Sequence, residues 1–368
     1  MTRQPGLGLA GLLLVVPVAW LLAFGAGGPE PSLLVLGPLV TYGLPVIAMV
    51  AFWWENWPGT RLRASWSGWA DTLLICVAAV VLTATGQAIA GRFDLRGIFD
   101  PTPGPGDAPT FPATLPLAGA AFVAMLQLSL VCERWPLQRL PRVPAGLIAV
   151  AASWLVALVL YAALADVDPP AGSGLAARGG PLGGAELGAL LVLVGAWQVL
   201  FYVAWRGWPF TAIRGRAARL LAANAAVLGG AGITYVLAHD AAGVGAARIT
   251  AVAGAFVAAG LLLGMLLERW LRNPGTILAA VLVLAAALEL ALQAYARTRD
   301  WTRGSPDEWV AHAGLNAIGV AVILHVAVGR RWPLPRLTRP PRRAARPAHP
   351  PPAAAPSRRR RARRPARR

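Results

Sequence analysis

Apolar residues along this chain come in blocks of about twenty, the length that crosses the hydrocarbon core of a bilayer as a helix. Blocks of this kind lie near 7–27, 32–54, 69–91, 114–133, 145–165, 185–205, 218–238, 249–268, 276–296 and 310–329. The pattern predicts an all-α polytopic membrane protein with about ten transmembrane helices. Residues 1–333 form one membrane domain with short loops, and residues 334–368 follow it as an Arg/Pro/Ala-rich tail. The first block has Arg3 ahead of it, in the manner of a signal peptide, but its apolar run exceeds the usual 7–15 residues or about that. It is read as an uncleaved first helix.

The connections alternate in character. One set carries Arg61 and Arg63, then Arg134, Arg139 and Arg142, then Arg206, Arg214, Arg216 and Arg219, then Arg269 and Arg272. The other set holds Glu30, Asp94, Asp100, Asp107, Asp166, Asp168, Asp240, Asp300, Asp307 and Glu308. Arg is retained on the cytoplasmic side, so both termini are expected to be cytoplasmic. The connection from Arg92 to Thr114, with its Pro-Thr-Pro-Gly-Pro-Gly run, reads as a stiff loop. The Gly-rich one from Asp166 to Gly184 reads as a mobile one.

Each Arg-rich connection opens on a recurring corner: Glu55-Asn56-Trp57-Pro58, Glu133-Arg134-Trp135-Pro136, Arg206-Gly207-Trp208-Pro209, Glu268-Arg269-Trp270-Leu271 and Arg330-Arg331-Trp332-Pro333. The tryptophans are 78, 73, 62 and 62 residues apart, one helical hairpin each time. This predicts five stacked copies of a two-helix unit. Trp suits headgroup depth, the charged residue before it marks the water boundary, and Pro is expected to stop the helix because it lacks an N–H. All five corners share one face, unlike the inverted repeats of many secondary transporters.

The formal net charge of +18 would suggest nucleic acid, but thirteen of the arginines lie between Pro333 and Arg368, and the chain has no Lys. An all-Arg basic complement with much Ala, Gly and Pro fits a GC-rich genome, hence a bacterial plasma membrane. The tail cannot bury a core and is expected to be disordered. Its expected partners are the bilayer and anionic lipid headgroups, with a membrane protein partner as an alternative. It has no aromatic residue on which bases could stack, which argues against nucleic acid. Cys76 and Cys132 lie in apolar blocks without ligand spacing and are read as buried thiols.

Ionisable groups at bilayer depth are costly and therefore informative. Glu289, Gln293 and Arg297 recur on one face of the ninth block, and Glu308, His312 and Asn316 on one face of the tenth. A simple hairpin would match Glu289 with Asn316 and Gln293 with His312, a polar ladder open to the outside. Glu289, Gln293, His312 and Asn316 are thus candidates for binding a proton or a polar ligand. The bland alternative is that Glu289 serves as interhelical hydrogen-bonding glue. A second group, Gln127, Gln198, Asn224 and His325, could line one cavity in the cytoplasmic half.

Phosphate-binding loops, zinc-protease motifs and nucleophile elbows are absent, so neither catalysis nor a metal or other cofactor is expected. Gly260 and Gly264 have the spacing of close helix packing. The function these features favour is a transporter or permease with an external polar vestibule. The alternative is a non-catalytic scaffold or accessory subunit of a membrane complex.

Overall fold

The computed structural model describes residues 4–334 except 103, 105 and 169–171. The arginine-rich tail, with its expected disorder and lipid contacts, lies outside the described residues apart from Leu334.

Ten long helices are present among the described residues: α1 (Gly6–Phe24), α2 (Pro29–Trp53), α3 (Ala64–Ala90), α4 (Leu115–Val131), α5 (Arg142–Leu164), α6 (Gly184–Ala204), α7 (Arg216–Ala241), α8 (Ala246–Leu266), α9 (Pro274–Ala296) and α10 (Pro306–Val328). Nine of them are long and apolar enough to cross a membrane by themselves, and α4 is somewhat shorter. The chain is an all-α, multi-pass membrane protein.

The even-numbered helices form an inner ring. α2 packs on α4, α4 on α6, α6 on α8, α8 on α10, and α10 returns to α2. In α2, α6, α8 and α10, 56–83% of the apolar stretch is buried, against 17–33% in the odd-numbered helices, whose outer faces are left to lipid. The expected five stacked units are therefore a closed circle. A two-helix unit cannot cover both of its apolar sides alone, and closing the ring leaves no uncovered end.

Each outer helix packs mainly on the inner helix before it in the chain: α3 on α2, α5 on α4, α7 on α6, α9 on α8, and α1 closes on α10. Outer helices also reach the inner helix one place further back. Trp54 at the end of α2 donates its indole N–H to Val143 O at the start of α5, at 3.0 Å. Trp205 at the end of α6 does the same to Pro274 O at the start of α9, at 3.0 Å.

All five inner helices finish identically. Their last turn is a π turn, closed by i→i−5 bonds from Trp54 N to Met49 O, Cys132 N to Gln127 O, Trp205 N to Leu200 O, Leu267 N to Leu262 O and Gly329 N to Leu324 O. One or two left-handed residues follow: Glu55 and Asn56, Glu133 and Arg134, Arg206 and Gly207, Arg269, and Arg330 and Arg331. The helix thus ends at a left-handed cap, several residues before the proline expected to stop it. The fourth corner, with Leu271 in place of Pro, ends the same way, which shows that the cap is what stops the helix. Trp135, Trp208, Trp270 and Trp332 stand half-exposed around the rim, as an interfacial belt requires.

On the opposite, distal face the described residues of the two long connections form local structure. Asp94 caps a short helix (Leu95–Phe99) by accepting from Arg96 N, and Gln87 of α3 donates to Ala108 O at 2.7 Å and to Thr110 Oγ1 at 3.0 Å. The Gly-rich connection expected to be mobile forms a small sheet. Its strands β1 (Ala165–Val167), β2 (Arg178–Gly179) and β3 (Leu182–Gly183) lie in the order β2-β1-β3, the first pair antiparallel and the second parallel.

Candidate functional site

The inner ring encloses an axial cavity of about 560 Å³. Its walls follow the repeat. Nine residues before the corner tryptophan, every inner helix supplies a lining residue: Ala48, Leu126, Val199, Leu261 and Ile323. Thirteen before, the set is Leu44, Phe122, Gly195, Val257 and Gly319. Sixteen before, it is Thr41, Gly119, Val192, Gly254 and Asn316. Twenty before, four of the five line it: Leu115, Gly188, Thr250 and His312. Five before, Phe52, Leu130, Val203 and Met265 form an apolar neck carried on the π turns. Steps of three and four keep one face of each helix on the axis. The set spans about 22 Å at 1.5 Å per residue, most of the hydrocarbon thickness.

Chemistry changes along this axis. The neck end is apolar throughout. Toward the distal face the lining becomes polar with Thr41, Thr250, His312 and Asn316, and at the mouth acidic with Asp166, Asp168 and Glu308. Asn316 donates to Thr41 Oγ1 at 3.1 Å, and Thr41 donates to Gly37 O at 2.8 Å. The His312 ring meets Phe111 edge-on, with centroids 5.8 Å apart. Glu308 accepts from Ser305 Oγ at 2.8 Å.

Two kinds of glycine occur. At Gly8, Gly230, Gly260 and Gly264 an added Cβ would collide with a neighbouring helix, for example Val199 for Gly260 and Val203 for Gly264. These glycines permit close packing. At Gly188 and Gly195, both lining the cavity, an added Cβ meets nothing within 4 Å. A helix-interior glycine costs roughly 0.5–1 kcal/mol relative to Ala, so at these two sites the chain forgoes stability and keeps the axis open.

The ladder expected between α9 and α10 is divided by the fold. His312 and Asn316 face the axis, whereas Glu289 and Gln293 lie on the outer helix α9 in a separate cluster. There Arg248 of α8 pairs with Glu289 Oε1 and, at 3.3 Å, with Asp307 Oδ1. Gln293 donates to Glu289 at 3.1 Å and to Asp307 at 2.5 Å. Glu289 Oε2 and Gln293 Oε1 have no partner. The pairing by depth assumed that α9 and α10 pack as a hairpin, but α9 packs on α8, which brings in Arg248.

Of the second group, three residues come together and none lines the cavity. Gln198 donates to Gln127 at 2.7 Å, and Gln127 donates to Asn224 at 2.8 Å, joining α6, α4 and α7. His325 is apart, buried beside Gly11 of α1 with Nε2 unpartnered. Near it Arg331 caps the end of α8 by donating to Met265 O at 2.6 Å and Leu266 O at 3.2 Å. Its burial lowers the guanidinium pKa, opposed by Glu268.

Two charged residues escaped the sequence reading. Arg248 stands one residue before the eighth block, in the first turn of α8, where a search for charges inside the apolar blocks does not reach it. Asp71 of α3 is fully buried; its Oδ1 accepts from Gly59 N at 2.8 Å and its Oδ2 has no partner. It stands inside a predicted apolar block, which is signal enough. Among the described residues no group of His, Cys, Asp and Glu is arranged to hold a metal ion. Comparison with protein-family models, with curated proteins and with solved structures finds no match to this chain.

Proposed function

We propose that this protein is a transporter or permease whose solute path is the axial cavity. The observation that carries the reading is the one-per-helix lining at equivalent positions of the repeat, with Gly188 and Gly195 left without side chains where nothing obstructs one. The polar vestibule inferred from sequence is then the distal mouth, with His312 and Asn316 in its wall. Glu289 and Gln293 stand behind that wall and hold it in place. The neck formed by Phe52, Leu130, Val203 and Met265 acts as a hydrophobic constriction, of the kind that gates by dewetting. The arginines of the corner loops support a cytoplasmic corner face and an outward distal mouth in a bacterial plasma membrane.

Cysteine accessibility tests the path. With Cys76 and Cys132 replaced, single cysteines are placed at Gly188, Gly195 and Val199, with Leu13 on the lipid face and Ala120 in the core as controls. In proteoliposomes the three axial positions are expected to react with a membrane-impermeant methanethiosulfonate, and the controls are not. Axial cysteines as inert as Ala120→Cys would make the cavity a structural void and end the proposal.

A further inference from the structure

The charge of the lining is out of keeping with the rest of the chain. The sequence carries 34 Arg and no Lys against 16 acids, yet among the described residues the cavity wall includes Asp166, Asp168 and Glu308 and no arginine. Half-buried Glu308 at the mouth, with exposed Asp166 and Asp168 at its rim, sets a negative sign for the field there, partly screened by solvent, ahead of a lining that is mostly aliphatic. An anion entering there meets repulsion and finds no donor of opposite charge. A cation meets attraction at the mouth and an apolar sleeve beyond it.

One arginine stands close enough to change this. Arg248 follows Ala247 and precedes Thr250 by two residues, and both of those line the cavity. Its guanidinium is held on the far side by Glu289 and Asp307. Glu289 is itself buried and oriented by Gln293. The cluster therefore does two things at once: it neutralises Arg248 and it keeps the guanidinium out of the bore.

Resting on the axial-path reading, we infer that the cavity takes amphiphilic organic cations, with the charged centre at Asp166, Asp168 and Glu308 and the apolar body along the axis. Glu289 and Asp307 act as positioning residues that preserve this preference by restraining Arg248. A cavity of about 560 Å³ is within the size range of sites for drug-sized ligands.

The test uses two ions of nearly the same shape and opposite charge, tetraphenylphosphonium and tetraphenylborate, binding to the full chain in nanodiscs with lipid-only discs subtracted. The axial component is the part lost in Gly195→Leu. It is expected to favour the phosphonium by about tenfold or more, the scale of a charge reversal in a partly solvated mouth. The triple variant D166N/D168N/E308Q removes the preference. E289A lowers phosphonium affinity, and E289A/R248A restores it, which separates a freed Arg248 from simple damage to a buried pair. An axial component that prefers the borate, or a preference untouched by the triple variant, overturns the cation assignment while the path stands. Loss of reactivity at the axial cysteines overturns the path itself.

Discussion

Glu133, in the second corner, grips Arg219 of α7 with both carboxylate oxygens, from Nε at 2.5 Å and from Nη2 at 2.9 Å. The pair fastens the end of an inner helix to the outer helix of the next unit but one. Its planar two-bond geometry is the strongest form of such a contact, although both side chains are partly exposed.

That grip has a pH signature. The hydrogen bond from Arg219, aided by the charges of Arg219 and Arg216 and opposed by burial, holds the Glu133 carboxyl below its ordinary range. A carboxylate lowered on folding stabilises the fold above its unfolded pKa, about 4.3, and loses that contribution as pH falls through the folded value. Asp94 behaves alike, lowered chiefly by the Ala108 N–H. Glu133→Gln is expected to lower the melting temperature at pH 7 and to approach the wild type as pH falls through the range in which the Glu133 carboxyl protonates, as followed by thermal unfolding in detergent.

The two kinds of glycine predict opposite responses to one methyl group. Gly188→Ala and Gly195→Ala are expected to raise stability by up to about 1 kcal/mol, because the helix gains propensity and nothing is displaced. Gly230→Ala drives a Cβ to within 2.7 Å of Trp197 and is expected to cost about 1–3 kcal/mol. Denaturant unfolding of the three variants decides it; a loss at Gly188 of the same size as at Gly230 refutes the distinction.

Left-handed caps on non-glycine residues give a third measurement. Glu55 is exposed at φ 53°, a conformation that costs an L-residue roughly 1–2 kcal/mol. Glu55→Gly relieves that cost and adds chain entropy to the unfolded state, for an expected gain of up to about 1 kcal/mol. Glu55→Val is expected to lose about 1–3 kcal/mol at the same site. Equal stabilities for the two variants would show that the cap does not depend on the left-handed residue.

Gly59 and Asp71 occupy the repeat positions held by Leu137 and Ala149 in the next corner, and a Cβ on Gly59 would meet Asp71 and the Ser67 carbonyl. Gly59→Leu alone is expected to cost about 1–3 kcal/mol by overpacking. Asp71→Ala alone costs a similar amount by leaving the Gly59 N–H unpaired. The double variant recreates the Leu/Ala pair and is expected to recover most of the loss, a non-additivity readable in a double-mutant cycle. Additive losses would mean that the two corners are not packed alike.

The helices, the corners and their shared face were legible because bilayer length and Trp-Pro spacing are one-dimensional signals. The ring was not. An inner helix such as α6 is apolar toward its neighbours, toward the outer helices and in much of the bore, so its hydrophobic period carries no direction. The residues that do mark the axis, Gly188, Gly195 and Thr250, are small and resemble the packing glycines until their surroundings are known. His312 and Asn316 were picked out as polar residues on one face, and that face proves to be the lumen. Glu289 stands out equally well, yet its partner Arg248 comes from the helix before it, across the Trp270 corner, whereas the ladder was sought with the helix after it.

The π turns carry a record of descent. Each of the five that close the inner helices holds one more residue per turn than an α-helix requires, and all five end four residues before the corner tryptophan. Five separate insertions at one register would be an extraordinary coincidence, whereas a single insertion in an ancestral two-helix unit gives all five by copying. Leucine at 271 in place of proline, and the Gly59–Asp71 pair, each occur in one copy only, and copying of a shared unit does not account for them.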